Sequence, residues 1–266
     1  TYPMYWDKST QETVSSDYGD IDLIFSANTV SHVQNLEETL NLIRDSLSDD
    51  GVFVLETPSF LEVLKYNAFD QFYHEHQSYF SYVSVKNIVE KLGMRVFDLE
   101  MYPVHGGTYR FFICKENANH SNKVQNKYLD NEMRFGIDDY SNLCGVMDIM
   151  KSNMVNIKSM LEDIKKSGKT IVGYGATAKF TNVMNMCGLN NNHIDYVLDT
   201  TPLKNNKWIP NTGVQIKAYT PNKVKDIDYF YLGAWNYRKE VLNKESEYIK
   251  NGGKFITHIP KVEIIK

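Results

Sequence analysis

Apolar residues recur along the chain in two alternating rhythms. Residues 21–27 (IDLIFSA) form a short apolar run behind the turn-like Tyr18-Gly19-Asp20 and predict a buried parallel strand. Leu36, Leu40, Ile43 and Leu47 then recur at helical spacing, with Glu37 and Glu38 in the first turn. They predict a helix over 35–48 that Asp49-Asp50-Gly51 ends. Residues 52–56 read as a second strand stopped by Pro58. After a polar and aromatic stretch come a short helix over 82–92, ending at Gly93, and strands over 94–99 and 109–114. His105-Gly106-Gly107 lies in the turn between those two strands, which suits an antiparallel pair.

Residues 116–140 are polar and asparagine-rich and read as a linker with room for one short helix. A long amphipathic helix over 140–166 follows, with Leu143, Met147, Met150, Met154, Ile157, Leu161 and Ile164 spaced by four and three. That stripe predicts a core-facing helix and is too short for a coiled coil. The remainder alternates again. Strands are predicted over 170–174, 194–198, 229–232 and 254–257, with helices over 177–187 and 238–250. The alternation implies a parallel, Rossmann-like sheet. The expected organisation is therefore an α/β region over 1–115, a linker over 116–139 and a second Rossmann-like α/β domain over 140–266.

The order β-α-β-loop-α-β-turn-β in the first region resembles the second half of the sheet in class I methyltransferases. In that fold a glycine-rich strand–turn–helix lies upstream of the strand resembling 21–27. Here twenty residues precede that strand and contain no Gly-x-Gly. The resemblance thus implies a chain truncated at its N-terminus.

Composition narrows the function classes. Of 266 residues, 42% are hydrophobic and 23% charged, which is ordinary globular chemistry with a sizeable core. A net charge of −4 with no basic block gives no electrostatic footprint for nucleic acid or an anionic membrane. No apolar run approaches the roughly 20 residues of a membrane helix. Residues 1–10 carry neither a basic nor an apolar segment of a secretory signal. Cys114, Cys144 and Cys187 are scattered, so they build neither a disulfide framework nor a zinc spacing. A cytoplasmic protein with reduced thiols is the simplest reading.

Four segments carry candidate chemistry. Gly173-Tyr174-Gly175-Ala176-Thr177-Ala178-Lys179 follows a predicted strand and opens a helix, where glycines let the backbone approach a phosphate. Asp199 lies about 24 residues beyond Gly175, as in a dinucleotide fingerprint. A ligand-free tight turn explains the same residues. Tyr73-His74-Glu75-His76-Gln77-Ser78-Tyr79-Phe80-Ser81 concentrates two histidines, an acid and aromatic rings in a segment without helical period. Histidine suits proton transfer near neutral pH, and a neighbouring carboxylate can orient it. A metal held by His74 and His76, or a polar surface loop, is the competing reading. His105 and Arg110 flank a glycine turn, and Arg110 could fork a phosphate or carboxylate or be solvated. Ala234-Trp235-Asn236-Tyr237 sits at the carboxyl end of a predicted strand, where ligands bind in open α/β sheets, although core packing of Trp235 explains it as well.

Together these motifs resemble the sugar C-methyltransferase family, S-adenosylmethionine-dependent enzymes that add a methyl branch to carbon 3 of nucleotide-linked 4-keto-deoxysugars. The matching residues are 73–81, 105–110 with Thr108 where the family has Ser, 173–179, 199–204 (DTTPLK) and 234–236, and their order and spacing match over nearly the whole chain. The segment Ser26-Ala27-Asn28-Thr29-Val30-Ser31-His32-Val33 also resembles the family. The resemblance implies that His76 is the base and Glu75 its partner. It makes Tyr73, Tyr79, His105, Arg110, Gly173, Gly175, Lys179, Lys204 and Asn236 candidates to hold the nucleotide-sugar, and Asn28 and His32 candidates to border the methyl donor. It implies no redox cofactor, no metal in this chain, and zinc only in an N-terminal domain that the sequence lacks. Two other readings remain: a non-catalytic nucleotide-sugar-binding remnant, and an NAD-linked enzyme using 173–178.

Overall fold

A helix capped at both ends leads into the first sheet. Asp7 accepts a hydrogen bond from the Thr10 amide at 2.8 Å and caps α1 (Lys8–Tyr18). Gly19, at φ 75°, turns the chain into β1 (Ile21–Ala27). α2 (Leu36–Ser46) starts on Asn35, whose side chain accepts from the Glu38 amide. It passes directly into β2 (Leu47–Pro58). The expected helix stop at Asp49-Asp50-Gly51 therefore belongs to the strand. Leu47 is buried in the core and pairs with Ile21, and a Cβ on Gly51 would lie 2.8 Å from Ile21 O. That glycine admits the neighbouring strand instead of ending a helix. α3 (Phe60–Lys65), α4 (Tyr82–Lys91), β3 (Met94–Tyr102) and β4 (Thr108–Lys115) follow.

The computed structural model describes residues 1–224 and 226–265, which divide into two units, Thr1–Val63 with His74–Leu143 and Leu64–Tyr73 with Cys144–Lys266. In the first, the sheet order is β1-β2-β4-β3, with β1 parallel to β2 and the other pairs antiparallel. This strand order is consistent with the expected class I methyltransferase sheet. Leu40 and Ile43 of α2 and Val85 and Val89 of α4 pack with Phe53, Leu55, Phe111 and Ile113 of the sheet. Burial of each such side chain is worth roughly 1.5–3 kcal/mol. β1 is an edge strand, with Leu23 61% and Phe25 58% exposed, and Ile24 packs against the core.

Residues 116–139, expected as a linker, are part of the first unit. Arg95 donates to the carbonyls of Glu116, Ala118 and His120 at 3.1, 2.8 and 2.7 Å. α5 (Lys127–Phe135) then inserts Tyr128 into the core. Its Glu132, with no exposed surface, accepts from the Tyr82 and Val83 amides at 2.7 and 3.0 Å, so a carboxylate sits on the α4 N-terminus beside the Ser81 cap.

The second unit holds most of α6 (Tyr140–Lys166), then β5 (Ile171–Tyr174), α7 (Ala178–Met186), β6 (Tyr196–Asp199), β7 (Trp208–Ile209), β8 (Val214–Ala218), β9 (Tyr229–Leu232), α8 (Arg238–Lys244), α9 (Ser246–Lys250), β10 (Lys254–Thr257) and β11 (Glu263–Ile265). Its sheet order is β11-β10-β9-β5-β6-β8-β7, parallel except at the two outer strands. The expected Rossmann-like alternation holds. The methionine stripe buries Met150, Ile157, Leu161 and Ile164, whereas Met147 is exposed. The helix expected over 238–250 breaks at Glu245, whose buried carboxylate accepts from the hydroxyls of Tyr174 and Tyr219 at 2.8 and 2.6 Å. Among the described residues no helix is long and apolar enough to cross a membrane.

Glu132→Ala leaves two helix amides without their acceptor and is expected to lower the unfolding free energy by about 1–3 kcal/mol. Asp130→Ala, exposed on the same helix, should stay within about 0.5 kcal/mol of the parent. Urea unfolding of the two variants checks this, and equal shifts would contradict the capping role.

Candidate active site

The histidine segment is pinned by main chain before any side chain acts. The amides of Gln77 and Ser78 both donate to Ser31 O, at 2.8 and 3.1 Å. The short helical turn Val30–His32 that follows β1 therefore lies against residues 74–79. His32 Nδ1 stands 2.8 Å from Glu75 O. A carbonyl only accepts, so Nδ1 carries a proton and donates to it. The His76 ring is edge-on to His32, with centroids 5.0 Å apart, and edge-on to Tyr79 at 6.0 Å. His76 and Tyr79 are half-buried, while His74 and Glu75 are exposed. Glu75 joins this cluster through its main-chain oxygen on His32, a contact the residue types alone do not announce.

Asn28 directly follows β1 at φ 53°, and its amide donates to Glu56 O at 2.8 Å. Its Oδ1 is buried and has no hydrogen-bond partner. An acceptor left open in this way costs about 1–3 kcal/mol. Arg110 is engaged elsewhere. Its Nε and Nη2 both donate to Glu56 Oε2, at 2.9 and 2.7 Å, and its Nη1 donates to the Tyr102 hydroxyl at 3.1 Å. The guanidinium also lies 4.3 Å above the Tyr102 ring, and that hydroxyl donates to Glu100. His105 is half-buried in the turn before β4, at φ 53°. A Cβ on Gly107 would meet Glu62 Cγ at 2.7 Å, so this glycine serves close approach.

In the second unit the strand order reverses between β5 and β9, and the glycine loop opens at that switch point. A Cβ on Gly173 would lie 2.8 Å from Val197 and 2.9 Å from Phe180, and Gly175 adopts φ 88°. Asp199 ends β6, as a dinucleotide site requires, but its oxygens serve the protein. The Ala176 amide donates to Oδ2 and the Thr201 amide to Oδ1, both at 2.8 Å. Lys204 Nζ donates to Ala176 O at 2.8 Å and stands 3.4 Å from Asp199 Oδ2. Burial raises the Asp199 pKa, but the Thr201 and Ala176 hydrogen bonds and the Lys204 charge outweigh it and hold the carboxyl below its ordinary range. A cavity of about 350 Å³ opens here, lined among others by Tyr174, Gly175, Asp199, Lys204, Tyr219 and Lys244. Lys244 Nζ lies 3.8 Å above the Tyr219 ring.

Lys179 points away from that cavity's lining. It is half-buried, with Nζ 5.4 Å above the Trp235 ring, and the Trp235 indole donates to Asp70 Oδ2 at 2.6 Å. Asn236 lies half-buried in the turn Trp235–Tyr237 beyond β9, and Tyr73 closes the segment Leu64–Tyr73 of this unit. Asp70 escaped the sequence reading. Its one signal is an acid between the apolar residues Phe69 and Phe72, and its partner is 165 positions away. Among the described residues no three His, Cys, Asp or Glu are grouped so that they could hold a metal ion.

Residues 103–260 match the family model described as C-methyltransferase C-terminal domain, and residues 4–99 match a methyltransferase domain model. The chain is 32% identical over 268 residues to C-methyltransferase NovU of Streptomyces niveus. That similarity covers 100% of this chain, which spans 63% of the relative's length.

Asp199→Ala strips two loop amides of their acceptor and is expected to lower stability at neutral pH by about 1–3 kcal/mol. The native carboxyl titrates below its unfolded value, so the difference from the parent should be full above roughly pH 3.9 and fade as pH falls through the native pKa. Denaturant unfolding across pH checks this, and an unchanged stability at pH 7 would contradict it.

Proposed function

The chain belongs to the C-methyltransferase family, and on that premise we propose that it serves S-adenosylmethionine-dependent C-methylation of a nucleotide-linked 4-keto-deoxysugar at carbon 3. The observation that carries this reading is the half-buried His76 ring set between His32 and Tyr79, with His32 fixed by the Glu75 carbonyl. A ketone at carbon 4 acidifies the proton on carbon 3. His76 would take that proton as general base, and the enolate carbon left behind would take the donor methyl as its bond to sulfur breaks and S-adenosylhomocysteine leaves. Bound S-adenosylmethionine supplies an electrophilic methyl group on a positively charged sulfur. Asn28, at the carboxyl end of β1, and His32, four residues on, border the donor. Tyr79 packs edge-on against His76 and limits its ring positions.

The cavity at the β5 and β6 ends supports a site for the nucleotide portion, with Tyr174 and Tyr219 as aromatic wall and Lys204 and Lys244 as cations. The NAD-linked reading is disfavoured by one observation. The Ala176 and Thr201 amides already donate to the two Asp199 oxygens, so a ribose would have to share that carboxylate and a pyrophosphate would find the Ala176 amide taken.

His76→Asn in the encoded protein should slow solvent deuterium exchange at carbon 3 of the keto-sugar by about 10²–10⁴-fold. Nucleoside diphosphate binding should stay nearly unchanged. Exchange at the parental rate would remove His76 from the base role. Lys244→Ala should weaken nucleoside diphosphate binding about tenfold, the ~1.4 kcal/mol expected for one charge-assisted contact. Calorimetry that finds tight NAD binding and no response to the diphosphate would favour the dehydrogenase reading.

A further inference from the structure

The cavity at the ends of β5 and β6 owes its aromatic wall to one buried carboxylate. Glu245, at the break between α8 and α9, accepts from the Tyr174 hydroxyl at 2.8 Å and from the Tyr219 hydroxyl at 2.6 Å. Both bonds end on the same atom, Oε1. The two rings stand 66° apart with centroids at 5.7 Å. Tyr174 also packs against the fully buried Phe230 and Phe255, with centroids at 5.3 and 6.0 Å. The Tyr219 amide donates to Asp199 O at 3.0 Å. Lys244, next to Glu245 in sequence, is exposed and lies 3.8 Å from the Tyr219 centroid and 5.9 Å from that of Tyr174. Burial and the Glu245 carboxylate push the Tyr219 phenol up to about 12, so it remains a donor at neutral pH.

Charge decides which part of a nucleotide suits this cavity. The carboxylates of Asp199 and Glu240 line it against the ammonium groups of Lys204 and Lys244, so its wall carries no net charge. Glu245, which holds both tyrosine hydroxyls, adds a negative charge. Lys204 is already committed to Ala176 O and stands 3.4 Å from Asp199 Oδ2. A diphosphate finds no cationic excess there, whereas a flat, uncharged base gains by stacking on aromatic rings. Rings that are held before the ligand arrives lose little freedom on binding. We propose that this cavity seats the nucleobase, and that Glu245 is the positioning residue that sets Tyr174 and Tyr219 against it through their shared oxygen. Lys244 is then the cation left to meet a phosphate outside the base seat. The inference rests on this cavity being the nucleotide site.

The test uses the encoded protein with ¹³C-labelled tyrosine, the Tyr174 and Tyr219 ring resonances being assigned through Tyr174→Phe and Tyr219→Phe. It is titrated with adenosine, guanosine, cytidine, uridine and thymidine, with their diphosphates, and separately with inorganic pyrophosphate. At least one nucleoside should shift both ring resonances, and pyrophosphate neither. Glu245→Ala frees both rings and should weaken binding of the matching nucleoside diphosphate about tenfold, the scale of ordering two side chains on binding. Glu245→Gln keeps the shared oxygen and drops only the charge, so it should stay within about threefold of the parent. Should Glu245→Ala not fold, Tyr219→Phe, which keeps the ring and loses the hydroxyl, should itself weaken binding by about threefold or more. Parental affinity in Glu245→Ala or in Tyr219→Phe would overturn the positioning role, as would Glu245→Gln binding as weakly as Glu245→Ala. Diphosphates that move the rings while no nucleoside does would leave the nucleotide site standing and overturn the base seat alone. Diphosphates that fail to bind, or bind without moving either ring, would remove the nucleotide from this cavity and the proposal with it.

Discussion

A buried polar group has to be paired, and the two sheets meet that demand in opposite ways at the carboxyl ends of their parallel strands. In the second unit the demand is met from within at the ends of β5 and β6, whereas the buried ring nitrogens of His258 beyond β10 have no hydrogen-bond partner. Asp199 fills the Ala176 and Thr201 amides, Lys204 covers Ala176 O, and Glu245 takes both tyrosine hydroxyls. In the first unit it is left open at Asn28 Oδ1, while its neighbour His32 is locked by a carbonyl.

The same constraint separates look-alike motifs. A strand, a glycine turn, a helix and an acid at the end of the next strand describe a dinucleotide fold, and every one of those parts is present in the second unit. What differs is the rotation of one carboxylate. Turned toward the loop, Asp199 converts a phosphate cradle into a braced corner and leaves the cavity beside it to aromatic and cationic walls. Fold similarity therefore says little about the ligand here, and pairing of particular atoms says more.

Much of the fold was legible because periodicity reports local burial. The strand at Ile21–Ala27 and the long helix Tyr140–Lys166 have the bounds read from sequence. The errors share one cause, which is pairing at long range. The asparagine-rich stretch reads as a linker until Arg95 and Glu132 are seen to tie it to distant main chain, and Asp49-Asp50-Gly51 reads as a helix end until Ile21 is found against Gly51. At the site, density of residue type marked the histidine segment. The proton on His32 Nδ1 and the engagement of Arg110 by Glu56 depend on contacts 43 and 54 positions apart, which no local pattern encodes. The sequence offers Lys179 as a candidate cation, whereas its place above the Trp235 ring depends on a residue 56 positions away.

The most direct test of the account follows the methyl group itself. The encoded protein is supplied with S-adenosylmethionine carrying a ¹³C-labelled methyl group and with a nucleotide-linked 4-keto-deoxysugar, and the product is read by NMR. The account predicts the label on a carbon next to the ketone, seen as a carbon-bound methyl correlated to the ring. Label on an oxygen or nitrogen, or none transferred while the nucleotide-sugar binds, would contradict it.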